Sequence, residues 1–585
     1  MKTRKAMDPR RQTGYALVTV MVFFGISMMV LGGAMVWVST SSRLTDRSNR
    51  YQEALLAAEA ATEKVMGRMM YDFKNSGEAA VYGNLTAYRS AIPTLQENSG
   101  WSRFSFNNAA GVDNQIYVTR QQTAQYMPLD SQYAGLFGYA SKYTIVANAK
   151  NIGSLDNVVG AVQQDIQLAT IPLFQFAIFY NDYLDLNPGE DMEVRGRVHS
   201  NSDIWTGPNG KLTFYGSVTS SGRNTRTRHP KDPGYSSTLN NNVTYASGST
   251  KSTNVSSLIL PIGTNNTSDA VWEVLGMPPA GENIASPMGR ERFYNKAEML
   301  ILVSNTSVNV KIKTPYGTPS TNLPWAMVSS FISTNTSFTD ARESKKMKVT
   351  QIDVAKFNAF AATNNTIASV LGSGVTPSVL YIADNRTTTS TELTAVRLIN
   401  GQTLPNRGLT VATPNPLYTK GNYNCPNSSH LNTTNTSQTK PAALISDALT
   451  VLSANWDDTK STSSYTTRIA TNTTVNAAIL TGNVPWKTGM SSYYSGGAHN
   501  LTRYLEKWSG KTITYNTSLV CMFASKKATG QFQQSGGYYD IPTRETYFDN
   551  NFTDPTKLPP GTPQIRGMIR GKWQNPAPNT ILASN

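Results

Sequence analysis

The pattern of apolar and polar positions divides the chain into a helical N-terminal segment and a long β-rich remainder. Residues 15–38, YALVTVMVFFGISMMVLGGAMVWV, are 24 consecutive residues without a charge. At 1.5 Å per residue, a helix of this length spans the hydrocarbon core of a bilayer, which is about 30 Å thick. The segment is therefore predicted to cross or lie in a membrane.

The apolar helix is predicted to continue as an amphipathic helix to about residue 72. Six apolar residues recur at helical spacings after residue 50: Ala54, Leu55, Ala58, Ala61, Val65 and Met69. Such a stripe is typical of a helix that packs one face on a core. The connecting segment STSSRLTDRSNR contains neither Pro nor Gly, so nothing in it predicts a break.

The flanking charges predict the orientation of this helix. Five basic residues precede the apolar run, whereas Arg43, Arg47 and Arg50 are spread over the dozen residues that follow. The positive-inside rule then places the N-terminus in the cytoplasm and everything after Ser39 outside. A cleaved secretory signal is the rival interpretation, but the apolar run is longer than an ordinary signal core and its C-terminal end does not lead to turn residues or a clear Ala-x-Ala site.

The remainder is predicted to be mainly β. Residues 76–170 mix short alternating runs with polar loops, which suits a small β or α/β head packed on the helix. From Phe174 onward, short apolar runs are separated by Gly, Asn and Ser, and GRVHSNSDI and GSVTSSGR are similar units. This pattern favours an irregular β-solenoid, with a β-sandwich as the alternative. Two helices are predicted to interrupt the body, at 352–362 and 500–508.

The composition indicates a polar, weakly charged surface over an apolar core. Charged residues make up 15% of the chain, hydrophobic residues 39% and aromatic residues 10%. The net charge is +15, partly because of the basic N-terminus. No dense Lys/Arg stripe interleaved with aromatic residues is evident, so no nucleic-acid partner is predicted.

The chain has two cysteines, Cys425 and Cys521, and four histidines. In an oxidising compartment the cysteines can pair and close a loop of roughly 95 residues, which stabilises by about 4 kcal/mol; two buried free thiols are the alternative. No Cys/His cluster has metal-ligand spacing, so neither a metal nor a cofactor is predicted.

The strongest candidates for chemistry are acidic and histidine side chains of the early body. They are Asp182, Asp185, Glu190, Asp191, Glu193, Asp203 and His199, with His229, His430 and His499 elsewhere. Paired carboxylates can hydrolyse glycosides or bind Ca²⁺, but the Asn-Pro-Gly within the cluster marks a turn. Nucleophile-elbow, P-loop and dinucleotide-binding signatures are missing from the sequence. The chain is predicted not to be an enzyme.

Two further residue groups are candidates for surface roles. Aromatic residues that could stack on sugar rings are Tyr493, Tyr494, Trp508, Tyr538 and Tyr539. Asn-x-Ser/Thr triplets begin at Asn254, Asn265, Asn435 and Asn472, among others, and are interpreted as turn and ladder residues of a β structure.

The N-terminus resembles the type IV pilin-like proteins, and within them the PilX-type N-terminal region. The resemblance rests on a basic leader ending in Gly14, the aromatic Tyr15, the apolar run and the LLAAEAATEK continuation. It implies cleavage after Gly14 by a prepilin peptidase, which leaves Tyr15 as the mature N-terminus.

One position departs from the major pilins. They carry Glu at the fifth mature position, and here that position is Thr19. In the major pilins, the carboxylate of this Glu can pair with the N-terminal amine of a neighbouring subunit, and a charge inside an apolar assembly is tolerable only when it is paired. Because Thr19 has no carboxylate, this subunit cannot neutralise a neighbour's amine. Minor pilin-like subunits also depart here, which implies a low-copy, tip or priming role.

The resemblance extends to RGRVHSNSDIW, SVLYIADNR and LTVATPNPLYTKGNYN, which are similar to large PilX-type surface proteins of Verrucomicrobia and Planctomycetes. It implies a right-handed parallel β-helix. The expected organisation is a leader (1–14), a transmembrane helix (15–38), a helical extension (39–75), a head (76–170), a solenoid-like domain (171–530) and a C-terminal extension and tail (531–585).

The expected function is that of a minor pilin-like assembly or surface protein in the bacterial inner membrane, with its body in the periplasm or at the cell surface. Expected partners are other pilin-like subunits, the inner-membrane assembly platform, a prepilin peptidase and membrane lipid. A polysaccharide-binding adhesin and a carbohydrate-active β-helix enzyme are the alternatives.

Overall fold

One helix, α1, runs from Thr13 to Ser76 and contains 64 residues. This computed structural model describes residues 13–153, 157–232, 234–317, 320–485, 495–533 and 537–582. At 1.5 Å per residue, α1 is about 96 Å long. The predicted single long helix is confirmed, since the polar segment between its apolar and amphipathic parts contains no helix breaker.

The head is an antiparallel sheet with α1 packed on one face. Its elements are α2 (Glu78–Gly83), α3 (Leu85–Arg89), β1 (Phe104–Asn107), β2 (Tyr117–Pro128), β3 (Phe137–Asn151) and β4 (Val159–Pro172). Strands β1 and β2 pair with β3, and β3 pairs with β4. Alternate residues of β3, including Tyr143, Ile145 and Ala147, are buried in the same apolar cluster as the inner face of α1.

The body begins with short strands that stack in parallel. They are β5 (Phe176–Tyr180), β6 (Leu184–Asp185), β7 (Met192–Val194), β8 (Arg197–Ser200), β9 (Ile204–Trp205), β10 (Leu212–Phe214), β11 (Val218–Ser220), β12 (Asn224–Thr225), β13 (Val243–Tyr245) and β14 (Lys251–Ser252). Val198 lies between Ile178 and Val218 in register. The first two steps of the stack, from Ile178 to Val198 and from Val198 to Val218, are therefore 20 residues each, which is the offset between the two similar sequence units, whereas the step from Val218 to Lys251 is 33 residues.

A connection with short helices leads from β14 to the second part of the body. The helices are α4 (Ser268–Trp272), α5 (Pro287–Glu291) and α6 (Phe293–Lys296). Its apolar residues, including Leu258, Leu260 and Val271, cover the outer face of the largest body sheet. Both faces of the central strands of that sheet are therefore buried.

The second part adds further coils. Its elements are β15 (Met299–Val303), β16 (Val308–Ile312), β17 (Thr321–Leu323), α7 (Trp325–Val328), β18 (Ile332–Asp340), β19 (Lys345–Asp353), α8 (Val354–Thr363), α9 (Asn365–Leu371), β20 (Val379–Asp384), β21 (Glu392–Ile399), β22 (Leu409–Thr413), β23 (Leu417–Lys420), β24 (Ala442–Ser446), β25 (Leu449–Leu452), β26 (Thr473–Asn476), β27 (Ala478–Thr481), β28 (Thr512–Thr517), β29 (Leu519–Cys521), β30 (Thr543–Phe548) and β31 (Gln564–Gln574). Helix α8 confirms the predicted helix at 352–362.

The chain enters this stack of coils in its middle. The largest sheet has twelve strands in the order β14-β11-β8-β5-β29-β27-β24-β22-β20-β15-β16-β17. The chain winds from β5 to one end at β14, crosses to β15, and winds back until β29 pairs in parallel with β5. The head, which directly precedes β5, is thus attached at the centre of the stack.

Two sequence predictions are corrected. Residues 531–585 are not a separate extension, because β30 pairs with β28 and β31 pairs with β4 in the head. The predicted helix at 500–508 is wrong beyond a short 3-10 turn at Ala498–Asn500. Leu501, Tyr504 and Trp508 are buried in the interior of the body, where the segment is enclosed on all sides and has no exposed helical face.

Candidate functional site

The outer half of α1 is the most distinctive surface of the molecule. Every large apolar side chain from Tyr15 to Val38 is between 54% and 83% exposed. Among the described residues, α1 is the one helix long and apolar enough to cross a membrane. Fully burying one large apolar side chain is worth about 1.5–3 kcal/mol, so this surface favours an apolar environment strongly.

The predicted processing and assembly positions lie at the start of α1. The Gly14–Tyr15 bond belongs to the first turn of the helix, and Tyr15 is 83% exposed. The remaining leader residues, 1–12, lie outside the described part of the chain. The Thr19 hydroxyl donates to the Tyr15 carbonyl oxygen at 2.7 Å. This hydroxyl is thus satisfied within the helix and needs no partner from outside.

The inner half of α1 is fixed to the head. Ala54, Ala58 and Ala61 are fully buried against the sheet. A Cβ atom on Gly160 of β4 would lie 2.3 Å from the Leu55 nitrogen, so glycine permits a close approach of the two backbones. The exposed half therefore projects from a rigid base.

The C-terminal strand β31 holds the same part of α1. Arg566 Nη1 donates to the carbonyl oxygens of Phe73 and Lys74 at 3.2 and 3.1 Å. Arg570 Nη2 lies 2.9 Å from Glu63 Oε2. These contacts join the end of the chain to its N-terminal helix.

The two cysteines are not paired in this structure. Both thiols are free and buried. Cys521 lies in β29 and donates to the Phe523 carbonyl oxygen, whereas Cys425 follows β23 and donates to that of Asn427, each at 3.6 Å. Burial raises the pKa of Cys521 to about 12. The thiols are thus protonated and weakly reactive.

The acidic residues do not converge on one groove. Asp185 is buried and accepts from Ser495 at 3.2 Å, whereas Asp182 is exposed. Asp191 and Asp203 each accept a backbone N–H from the next coil at 2.7 Å, from Lys211 and Arg223. These two carboxylates therefore join neighbouring coils.

Glu190 is exposed in a bend before β7, and Glu193 is exposed within β7, where it pairs with Arg195 at 2.8 Å. No group of three potential metal-ligating side chains occurs among the described residues. Glu190 lies in a bend, as the turn interpretation expects, whereas Asp185 lies in β6 and Glu193 in β7. The structure offers no ligand set for Ca²⁺ in the described part.

The histidines are separated from one another. His199 is fully buried, lies 2.8 Å from Thr219 Oγ1 and 2.9 Å from Asn201 Oδ1, and has its pKa lowered to about 4 by burial. Burial, with a smaller effect from two arginines, lowers the pKa of His499 to about 3. His229 lies between the rings of Tyr183 and Trp205. His430 lies in a short turn near Asn427.

The aromatic residues proposed for sugar stacking are mostly interior. Trp508, Tyr538 and Tyr539 belong to the main core, and Tyr493 and Tyr494 lie outside the described residues. The Asn-x-Ser/Thr asparagines serve turns and ladders. Asn265 and Asn435 accept backbone N–H groups two residues on, Asn472 accepts that of Thr512, and Asn254 has a positive φ.

A basic surface at the β14 end of the body was missed. Residues 205–256 contain six Lys or Arg and one acidic residue, Asp232. A charge count in a moving window would have found this imbalance. Four of the six cations, Arg223, Arg226, Arg228 and Lys231, lie within nine consecutive residues, but no Phe, Tyr or Trp is interleaved with them, so the segment does not match a nucleic-acid-binding stripe.

The comparisons with known proteins are sparse. No family model matches the chain, and no curated protein matches it. Among solved structures, the chain is similar to the competence-associated pilin ComZ from Thermus thermophilus, with 10% identity over 90% of this chain and 98% of that chain, and a TM-score of 0.29. At this TM-score the likeness carries no argument about function.

Proposed function

We propose that this protein is a membrane-anchored, pilin-like structural subunit of the bacterial envelope. The observation that carries the proposal is the projecting half of α1, a charge-free apolar surface that is exposed throughout. Its rigid continuation into the head fits a helix that packs in a bilayer or among the helices of neighbouring subunits. The expected topology is single-pass, with the N-terminus in the cytoplasm.

The proposed maturation is cleavage between Gly14 and Tyr15 by a prepilin peptidase. The local hydrogen bond of Thr19 supports a helix that enters an apolar environment without a buried carboxylate. Such a subunit would not pair with a neighbour's N-terminal amine through this position. We therefore assign it a low-copy role, at a tip or in priming assembly, with other pilins and the inner-membrane platform as partners.

The proposed role of the body is presentation outside the cytoplasm rather than catalysis. We interpret the stacked coils as a right-handed parallel β-helix, supported by the parallel pairing of β14 through β15 in the twelve-stranded sheet. The separate placement of acidic residues and histidines in the described part supports a non-catalytic role. Attachment at the middle of the stack leaves both of its ends available for contacts.

The anchor is tested by expressing the full chain in a bacterial host and washing the membranes at alkaline pH. We expect the wild type to stay in the pellet and its body to be cut by protease added to spheroplasts. Ile26→Arg places a charge at the centre of the apolar run and should lower insertion, since such a charge costs about 2.5–3.5 kcal/mol. Ile26→Ala is the matched control and should insert. Release of the wild type by the alkaline wash would contradict the anchor.

A further inference from the structure

The basic surface at the β14 end of the body occupies the last coil of the stack. Strands β12, β13 and β14 each end their sheets in the described part of the chain. No further coil pairs beyond them in the described part, and the described residues of 226–242, between β12 and β13, form turns, bends and irregular loop. Turns of this kind are exposed and commonly carry binding residues.

Positive charge is concentrated at this end. The cations of residues 205–256 are Lys211, Arg223, Arg226, Arg228, Lys231 and Lys251. Two of them are neutralised, because Arg223 lies 3.0 Å from Asp203 and Arg228 lies 3.5 Å from Asp232. The other four have no carboxylate within 4.0 Å among the described residues.

Two of these unneutralised cations lie next to each other. The Lys251 ammonium donates to the Asn224 carbonyl oxygen at 3.0 Å and so extends from β14 to β12 across the terminal coil. Burial lowers the pKa of Lys251, and the positive charge of Arg226 lowers it further. A bound anion would relieve this repulsion.

Most of the aromatic rings nearby are already in contact with cations or other rings, whereas Tyr235 is 44% exposed. Arg195 lies 4.2 Å from the ring centre of Tyr215, and Arg223 lies 5.6 Å from that of Trp205. Tyr245 stacks on Phe214 at 5.4 Å. These contacts favour recognition of a ligand by charge and hydrogen bonds over stacking on a base.

The surface around the cations is rich in hydroxyl and amide groups. The segment 236–244, SSTLNNNVT, contains no charge and is largely exposed. Thr213 and Thr244 on neighbouring coils place their hydroxyl oxygens 3.0 Å apart. Such groups can hydrogen-bond to sugar hydroxyls, while the cations pair with carboxylates.

We propose that this basic end, formed by Lys211, Arg226, Lys231 and Lys251, binds an acidic polysaccharide whose sugars carry carboxylates. The binding is electrostatic in origin and requires no stacking platform. It does not depend on whether α1 assembles with other pilins.

The test uses the full chain in non-ionic detergent and fluorescent polygalacturonate as the probe. Neutral dextran and single-stranded DNA of similar length are the comparison polymers. We expect polygalacturonate to bind more tightly than DNA, dextran not to bind, and the affinity to fall as salt is raised. The triple variant R226Q/K231Q/K251Q should bind at least about tenfold more weakly, because it loses three charge contacts to the polymer.

The matched control, K345Q/K346Q/K356Q, removes the same charge from β19 and α8, by the opposite end of the stack. It should bind like the wild type, and both variants should keep the wild-type melting temperature within a few degrees. Equal affinity of the wild type and R226Q/K231Q/K251Q would overturn the proposal. So would an equal loss in the control variant, or tighter binding of DNA than of polygalacturonate.

Discussion

Replacing Gly160 by Ala should weaken the attachment of α1 to the head. The added Cβ atom would lie 2.3 Å from the Leu55 nitrogen, 2.5 Å from the Ala54 carbonyl carbon and 2.7 Å from the Leu55 Cα atom. All three are backbone atoms of a helix and cannot rotate away, so α1 must move off β4. Overpacking of this kind costs about 1–3 kcal/mol, and three backbone contacts place Gly160→Ala near the upper end.

The matched control is Gly67→Ala, on the exposed side of α1. A Cβ atom at Gly67 meets nothing within 4 Å. Since Ala is about 0.8–1.0 kcal/mol better than Gly inside a helix, this change should stabilise the protein. The two variants add the same methyl group, and their effects on the free energy of unfolding are predicted to have opposite signs.

The assay is hydrogen exchange of the full chain in detergent, followed by mass spectrometry of peptides from residues 54–73. Gly160→Ala should increase exchange there by up to about a hundredfold, as a loss near 3 kcal/mol implies. Gly67→Ala should slow it. Unchanged exchange in Gly160→Ala would refute the close packing of α1 on β4.

Three further changes test buried charges of the body. Burial raises the pKa of the Glu506 carboxyl to about 7, above its ordinary 4.5. The contribution of this group to the free energy of unfolding is therefore complete below pH 4.5 and is lost as the pH rises through 7. Glu506→Gln should therefore flatten the fall in unfolding free energy between pH 5 and 8, by about 3 kcal/mol, in denaturant titrations at both pH values; an equally steep fall in the variant would contradict this. Arg503→Met should destabilise by about 3–5 kcal/mol, since it leaves buried Glu343, now 2.7 Å away, without its partner; a melting temperature like that of the wild type would count against the pair. Asp447→Asn should cost about 1–3 kcal/mol in urea unfolding, because both carboxylate oxygens accept N–H groups and an amide offers only one acceptor oxygen; a stability equal to the wild type would contradict this.

Local signals in the sequence predicted the elements but not their long-range pairing. The charge-free run from Tyr15 and the alanine stripe from Ala54 predicted α1 because helical periodicity is local. The similar units around Val198 and Val218 predicted neighbouring coils for the same reason. The pairing of β5 with β29, and of β4 with β31, joins segments more than 300 residues apart and has no local signature.

The candidate functional residues also divide into those with a local signal in the sequence and those without one. Gly14, Tyr15 and Thr19 could be singled out because they lie at defined distances from the start of the apolar run. The excess of positive charge in residues 205–256 is visible in the sequence, but the proximity of Arg226 and Lys251 is not, because β12 and β14 come together only in the folded coil. The helix predicted around Trp508 is wrong because an apolar stripe does not show whether a segment lies on the surface of the body or inside it.

The central claim is tested most directly by the mature N-terminus of the native protein. Mass spectrometry on native membranes and on sheared surface filaments would determine it at single-residue resolution. The account predicts a chain that begins at Tyr15, with the apolar half of α1 retained. An intact Met1, or a start beyond residue 38, would contradict prepilin-type maturation and leave a differently anchored or secreted body.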